Sequence, residues 1–256
     1  SSFMQEIADY GLIFPSLVLW TYKFDGDTEF LKSVEPTLKG MYEYFSAFDR
    51  GDGLIEKLYG QWNLVDWPAN LRDGYDFPLT KPIGDGVHNA LNALWIGFLM
   101  VMNEIEELCG NEKLVDTDGV VKSFYKAFYN EETGLFCDSE SKTHSAVHSN
   151  IFPLLFGLYG KDENLKNRLV KMIYDKKLNS MGVYMAYFAL AALVKNGERD
   201  KAIELALDEN AWLNMLKEGA TTTFEAWGKE QKWNTSLFHP WAVAPLIIFN
   251  DEKEIY

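Results

Sequence analysis

The chain has 256 residues, 47% of them hydrophobic and 15% aromatic, and its formal net charge is −14. This is enough apolar material for one large domain, and we predict a single domain over residues 1–256. The negative charge and the lack of a Lys/Arg run argue against nucleic acid or an anionic membrane surface as a partner. No apolar run approaches the ~20 residues needed to cross a bilayer, so membrane insertion is not expected.

Apolar residues recur at helical spacing through most of the chain. The pattern favours Thr28 as a helix cap and Pro36 as a kink or boundary. Glycines mark short connections between helices, so consecutive helices should pack as antiparallel hairpins. The predicted helices cover residues 7–24, 28–48, 87–109, 115–129, 144–159, 162–176, 182–195, 199–207, 210–216 and 235–249.

Three of these helices contain segments that are apolar nearly all round, at residues 91–100, 154–159 and 183–193. A helix with this composition is buried on all sides. A two-layer ring of helical hairpins requires such inner helices, because they contact both the ring axis and the outer layer. Strand signals are sparse, and residues 135–141 form a short extended candidate. We therefore predict an all-α fold.

The long irregular stretch at residues 49–85 holds a group of aromatic residues around one carboxylate. Asp66 lies between Trp62 and Trp67 and precedes Pro68 by two positions. A carboxylate on such a rigid loop is typical of a group that binds a ligand. It is equally typical of an Asx-turn residue near proline, and the sequence leaves both interpretations open.

The most informative segment is residues 219–245, GATTTFEAWGKEQKWNTSLFHPWAVAP. In it Glu225 stands among Phe224, Trp227, Trp233 and Trp241. Burying a carboxylate among aromatic rings is costly unless a polar group lies against it. Sugars offer both hydroxyl groups and apolar faces, so the segment predicts one wall of a carbohydrate site. The alternative is a structural glutamate that caps a following helix. The threonines before Glu225 favour extended backbone, so this side chain should project from a loop or strand end.

Three histidines occur near predicted helix starts. His88 begins one inner-type helix, His148 lies early in another, and His239 falls in the first turns of the last predicted helix. Polar groups at these ends can contact a ligand or serve only as structural donors. The sequence contains no HExxH motif and no Cys/His cluster, and it lacks nucleotide-binding glycine fingerprints. We predict neither a metal nor a cofactor.

The segments GATTTFEAW and SLFHPW together resemble the glutamate-bearing motif of bacterial α-L-rhamnosidases, which are inverting glycoside hydrolases of the six-hairpin class. The Asp-Trp loop at residues 64–67 and the helix at 150–159 also resemble that family in order, and the likeness extends over nearly the whole chain. The resemblance implies an (α/α)6 toroid and rhamnose-containing glycosides or oligosaccharides as substrates. It implies that Glu225 is the general base, and that six residues contact the sugar or line its pocket: Asp66, Trp67, His239, Trp227, Trp62 and His88.

The sequence departs from this family pattern in two respects. Phe224 stands where the family usually has Trp, and no segment resembles the family's upstream general-acid motif. The chain also starts with Ser1 and enters helical periodicity at once. We therefore expect a toroid incomplete at its N-terminus, with poor activity as an isolated chain, and we assign no compartment. Two alternatives remain: another six-hairpin glycosidase or phosphorylase, and a non-catalytic carbohydrate-binding helical domain.

Overall fold

The computed structural model describes residues 7–58, 65–75 and 87–249, and this part of the chain is predominantly helical. Within it, no helix combines the length and apolarity needed to cross a membrane. Two short strands, β1 (Tyr129–Asn130) and β2 (Leu135–Phe136), pair with each other. The α-helices are α1 (Ala8–Asp25), α2 (Thr28–Ser46), α3 (Asn89–Cys109), α4 (Thr117–Phe128), α5 (His148–Leu155), α6 (Glu163–Lys176), α7 (Val183–Lys195), α8 (Arg199–Ala206) and α9 (Trp212–Lys217).

The described residues group into two compact units. The first contains α1 to α4 together with residues 138–143, and α3 packs there against α1, α2 and α4. The second contains residues 65–75 and α5 to α9, and α7 packs there against α5 and α8. The predicted assignment of residues 1–256 to a single domain stays a prediction.

Burial alternates between successive helices, and this alternation explains their composition. Helices α3, α5 and α7 are buried along nearly their whole length. For α3 and α7 this agrees with the apolar segments predicted at residues 91–100 and 183–193. The third predicted segment, 154–159, extends past the end of α5, and only Leu154, Leu155 and Leu158 in it are buried. Helices α4, α6 and α8 bury one stripe each and expose the opposite face. Each unit therefore places a buried helix beside amphipathic ones, which is the packing expected of helical hairpins in two layers.

The junction between α1 and α2 shows how local chemistry sets the helix ends. Gly26 ends α1 with a positive φ of 73°, a conformation that glycine adopts without a Cβ penalty. Asp27 caps α2, because its side chain accepts a hydrogen bond from the backbone N–H of Phe30. The sequence-based choice of Thr28 as the cap was wrong by one residue. Pro36 lies inside α2 and does not end it.

The predicted helix at residues 235–249 is wrong. The structure has two short 3-10 segments there, Pro240–Ala242 and Ala244–Phe249. Proline removes one backbone N–H and disfavours helical backbone at the preceding residue. His239, directly before Pro240, is accordingly extended, with φ −136° and ψ 99°. Its side chain therefore leaves a loop rather than a helix.

Candidate active site

Glu225 lies in the irregular segment between α9 and the 3-10 turn at Pro240, so it projects from a loop as predicted. Two parts of this segment are tied together through the backbone. The N–H of Glu225 donates to the carbonyl of Ser236 at 2.9 Å, and the N–H of His239 donates to that of Thr223 at 2.9 Å. The hydroxyl of Thr223 also donates to the carbonyl of His239 at 2.6 Å. These bonds hold Glu225 and His239 on neighbouring stretches of backbone.

The carboxylate of Glu225 has one partner on each oxygen. Oε1 lies 2.5 Å from Nζ of Lys232, and Oε2 accepts the backbone N–H of Ser236 at 2.9 Å. The Glu225 side chain is 23% exposed and that of Lys232 is 7% exposed. A carboxylate has about four lone-pair sites, so two partners leave acceptor capacity for water. The carboxylate is thus held in place and still reached by solvent.

The ionisation of Glu225 follows from these contacts. Burial opposes the charged form, but the hydrogen bonds from Lys232 and Ser236 outweigh this effect and lower the pKa of the Glu225 carboxyl group. Burial also lowers the pKa of His239, although the nearby negative charge of Glu225 opposes that shift. Near neutral pH the loop therefore presents an ionised carboxylate beside a largely uncharged imidazole.

Trp67 lies next to the Lys232 side chain. The Lys232 ammonium is 5.8 Å from the centroid of the Trp67 ring, within the range of a cation–π contact, and Trp67 is 39% exposed. The structure therefore brings together three residues that the sequence links only through the family resemblance: Glu225, His239 and Trp67.

Asp66 is placed differently, because its side chain is fully buried. Oδ1 accepts the N–H of Trp67 at 2.7 Å, while Oδ2 accepts the N–H of Gly182 at 2.7 Å and lies 2.8 Å from Nε2 of His148. Its own carbonyl accepts from Arg72 at 2.8 Å. A sugar contact for Asp66 stays a prediction. The observed burial favours a structural carboxylate that fixes the loop carrying Trp67. This is not the Asx turn that the sequence also allowed, because such a turn needs the N–H two residues on and Pro68 has none.

The remaining predicted site residues differ in their surroundings. Trp227 is 3% exposed, donates its indole N–H to the carbonyl of Met181 at 2.7 Å and packs edge-to-face on Trp212. These are the contacts of a core residue. His88 is 5% exposed in the first unit, at the start of α3, and burial lowers its pKa to about 3. Trp62 lies outside the described residues.

Exposure among the aromatic neighbours of Glu225 was not predictable from their spacing. Phe224 and Trp227 are buried, whereas Trp233 is 94% exposed and Trp241 is 40% exposed. Trp241 packs on Tyr184, with ring centroids 4.8 Å apart. Of these four aromatic residues, Trp233 and Trp241 are therefore the ones whose rings solvent, or a ligand, can reach.

Sequence reasoning missed Lys232 and Ser236, the two direct partners of the Glu225 carboxylate. Lysine seven positions after a glutamate carries no signal in a loop, because irregular backbone imposes no period on its side chains. In the part of the chain that the structure describes, no group of three or more His, Cys, Asp or Glu side chains could hold a metal ion.

Comparison with known proteins identifies the fold. The family model described as the bacterial alpha-L-rhamnosidase 6 hairpin glycosidase domain matches residues 3–250. The GH78 family rhamnosidase of Bacillus sp. GL1 superposes with a TM-score of 0.76 at 18% identity, covering 93% of this chain and 26% of that one. The rhamnosidase from Klebsiella oxytoca with rhamnose bound superposes with a TM-score of 0.74 at 17% identity, covering 95% of this chain and 46% of that one. No curated protein matches the chain. The predicted all-α, six-hairpin fold class is confirmed.

Proposed function

Because the chain belongs to the family of the bacterial α-L-rhamnosidase six-hairpin glycosidase domain, we propose that it carries the general base of an inverting glycoside hydrolase. The proposed substrates are rhamnose-containing glycosides or oligosaccharides. The observation that carries this proposal is the state of Glu225, which is held at both oxygens, ionised and 23% exposed.

Inverting hydrolysis requires a carboxylate that removes a proton from water while the water attacks the anomeric carbon. Glu225 meets the two requirements on the base. Its lowered pKa keeps it ionised at neutral pH, and its remaining lone pairs can accept a hydrogen bond from water. Since both oxygens are anchored, the direction in which water is bound is fixed as well.

The sugar itself needs apolar ring faces beside polar groups. Trp67 and Trp241 are 39% and 40% exposed, and His239 lies 6.3 Å from the Trp241 ring. We assign these three side chains to the sugar-contacting wall. Asp66 acts on that wall through the backbone of Trp67, whose N–H it binds.

The reaction also needs a carboxylic acid that protonates the leaving oxygen, typically ~6.5–9.5 Å from the base. Among the described residues, the ionisable groups that shift the pKa of Glu225 are Lys232 and His239, neither of which is a carboxyl group. We propose that the acid is supplied by another segment of the protein, as the family resemblance implies.

The test uses an aryl α-L-rhamnoside with the full-length gene product that contains this chain. We expect hydrolysis with inversion, seen by NMR as initial release of β-L-rhamnose. Glu225→Gln should lower kcat by about 10²–10⁴-fold, the usual value of a general base. Glu225→Ala with azide should regain turnover, because azide needs no deprotonation before it attacks.

Each alternative has its own result in this assay. Turnover that depends on inorganic phosphate indicates a phosphorylase, and turnover of a different sugar indicates another six-hairpin glycosidase. Rhamnose binding without any turnover indicates a carbohydrate-binding domain. A near-normal kcat for Glu225→Gln removes Glu225 from the role of base.

A further inference from the structure

Lys232 is a charged residue at the centre of the candidate site for which the proposed reaction has no stated use. Its ammonium group contacts Glu225 Oε1 at 2.5 Å and lies 5.8 Å from the Trp67 ring centroid. Building on the proposed function, we propose that Lys232 is a positioning residue: it fixes the orientation of the Glu225 carboxylate and keeps that group anionic for the activation of water.

The burial of Lys232 supports this role. A lysine side chain has four rotatable bonds and normally keeps its ammonium in water, because removing the charge from solvent costs several kcal/mol. Here the side chain is only 7% exposed. A buried ammonium needs compensation, and the Glu225 carboxylate and the Trp67 ring face provide it. The position of Lys232 therefore depends on these two partners.

The contacts of the Glu225 carboxylate show what Lys232 contributes to its geometry. The Ser236 N–H holds Oε2, and the Glu225 N–H is itself bonded to the Ser236 carbonyl. The backbone pairing alone would leave Oε1 without a fixed partner among these contacts. Lys232 provides that second point, so that the plane of the carboxylate and its remaining lone pairs keep one direction.

The electrostatic effect acts in the same direction. Among the residues that the structure describes, Lys232 and His239 are the ionisable groups whose charge acts on Glu225, and His239 is largely uncharged near neutral pH because burial lowers its pKa. Lys232 is therefore the main source of positive charge at the carboxylate. An opposite charge at this distance lowers the pKa of a carboxyl group by roughly one to three units. Removing it should raise the pKa of Glu225 and shift the acid limb of a base-catalysed rate to higher pH.

Lys229 provides a matched control in the same loop. Its ammonium also lies near an aromatic ring, 5.9 Å from the Phe224 centroid, and it donates to the carbonyl of Glu218 at 2.5 Å. Unlike Lys232, it is exposed and is not among the groups that shift the pKa of Glu225. Substituting it changes the net charge of the loop by the same amount without touching the carboxylate.

The experiment titrates the Glu225 side chain directly, by NMR of the chain labelled with ¹³C at the glutamate carboxyl, with Glu225→Gln identifying the resonance. We expect Lys232→Met and Lys232→Gln to raise the titration midpoint by about one to three units. Lys232→Arg retains the charge, so its titration midpoint should move by less than half of that shift. The midpoint of Lys229→Met should match that of the unmodified chain. Two neutral variants are used so that a folding defect in one leaves the other to decide.

A second measurement follows kcat/KM against pH in the full-length protein. The acid limb should move upward in Lys232→Met by the same amount as the NMR midpoint, which a purely structural role would not produce. A Glu225 midpoint unchanged in both neutral variants overturns the role of Lys232. If neither the full-length protein nor any of its variants hydrolyses a rhamnoside, the proposed function fails. The titration then still decides whether Lys232 controls the charge of Glu225.

Discussion

The buried carboxylate of Asp66 gives a sharp test of the architecture around Trp67. It accepts the N–H of Trp67 and the N–H of Gly182 at 2.7 Å each, and it lies 2.8 Å from Nε2 of His148. Asp66→Asn keeps the shape and removes the charge. The new amide N–H₂ then faces the Trp67 N–H at the Oδ1 position, or the Gly182 N–H and His148 at the Oδ2 position. In either orientation at least one backbone N–H loses its acceptor.

The size of the effect follows from these bonds. A hydrogen bond to a charged group contributes ~1.5–3 kcal/mol, and a buried donor left without a partner costs a further ~1–3 kcal/mol. We expect Asp66→Asn to lower the free energy of unfolding by about 3 kcal/mol, or the melting temperature by roughly 6–12 °C for a chain of this size.

The assay is urea unfolding followed by circular dichroism, with Asp175→Asn as the control. Asp175 is also an aspartate in the second unit, but its side chain is 54% exposed and pairs with Lys171 on the surface of α6. Such a pair contributes ~0.5 kcal/mol or less. If the free energy of unfolding of Asp66→Asn lies within ~1 kcal/mol of that of the unmodified chain, the argument for a structural carboxylate is wrong. Loss of rhamnose binding at unchanged stability would instead assign Asp66 to the sugar.

Three further outcomes are expected. Gly182→Ala should destabilise the chain by about 2 kcal/mol or more, because the new Cβ would overlap an Asp66 oxygen and the Trp67 carbonyl oxygen. The control, Gly40→Ala in open space on α2, should stabilise the chain by about 0.5–1 kcal/mol. Thermal melts measure both changes. Trp227→Phe should lower the free energy of unfolding by about 1–3 kcal/mol, because a buried hydrogen bond is lost. Trp233→Ala should change it by no more than ~0.5 kcal/mol, since the Trp233 side chain is 94% exposed. Equal losses for the two variants in urea unfolding would contradict the assignment of Trp227 to the core and Trp233 to the surface. The pKa of His88 is lowered to about 3 in the folded chain, so on acidification the unfolded chain binds this proton before the folded chain does. The free energy of unfolding should therefore fall by roughly 1 kcal/mol per pH unit below about pH 6.5. His88→Asn should flatten that slope in unfolding measured from pH 7 to pH 5.

The sequence by itself determined the helical architecture and its buried layer. Segments that are apolar all round can be stable in water only when other elements cover every side, and α3 and α7 are buried as this argument requires. The sequence also predicted Glu225 as a loop carboxylate, because the threonines before it favour extended backbone. Periodicity failed at residues 235–249, where apolar spacing indicated a helix but two prolines gave 3-10 turns.

Tertiary structure alone decided which of the candidate residues meet. Asp66 and Trp67 are neighbours in sequence, yet one is fully buried and the other is 39% exposed beside Lys232. Glu225 and Lys232 are joined by a loop whose turns follow no repeat, so their spacing could not predict a contact of 2.5 Å. The physical reason is that helix and strand periods assign side chains to faces, whereas in irregular backbone each direction is set by hydrogen bonds to distant residues.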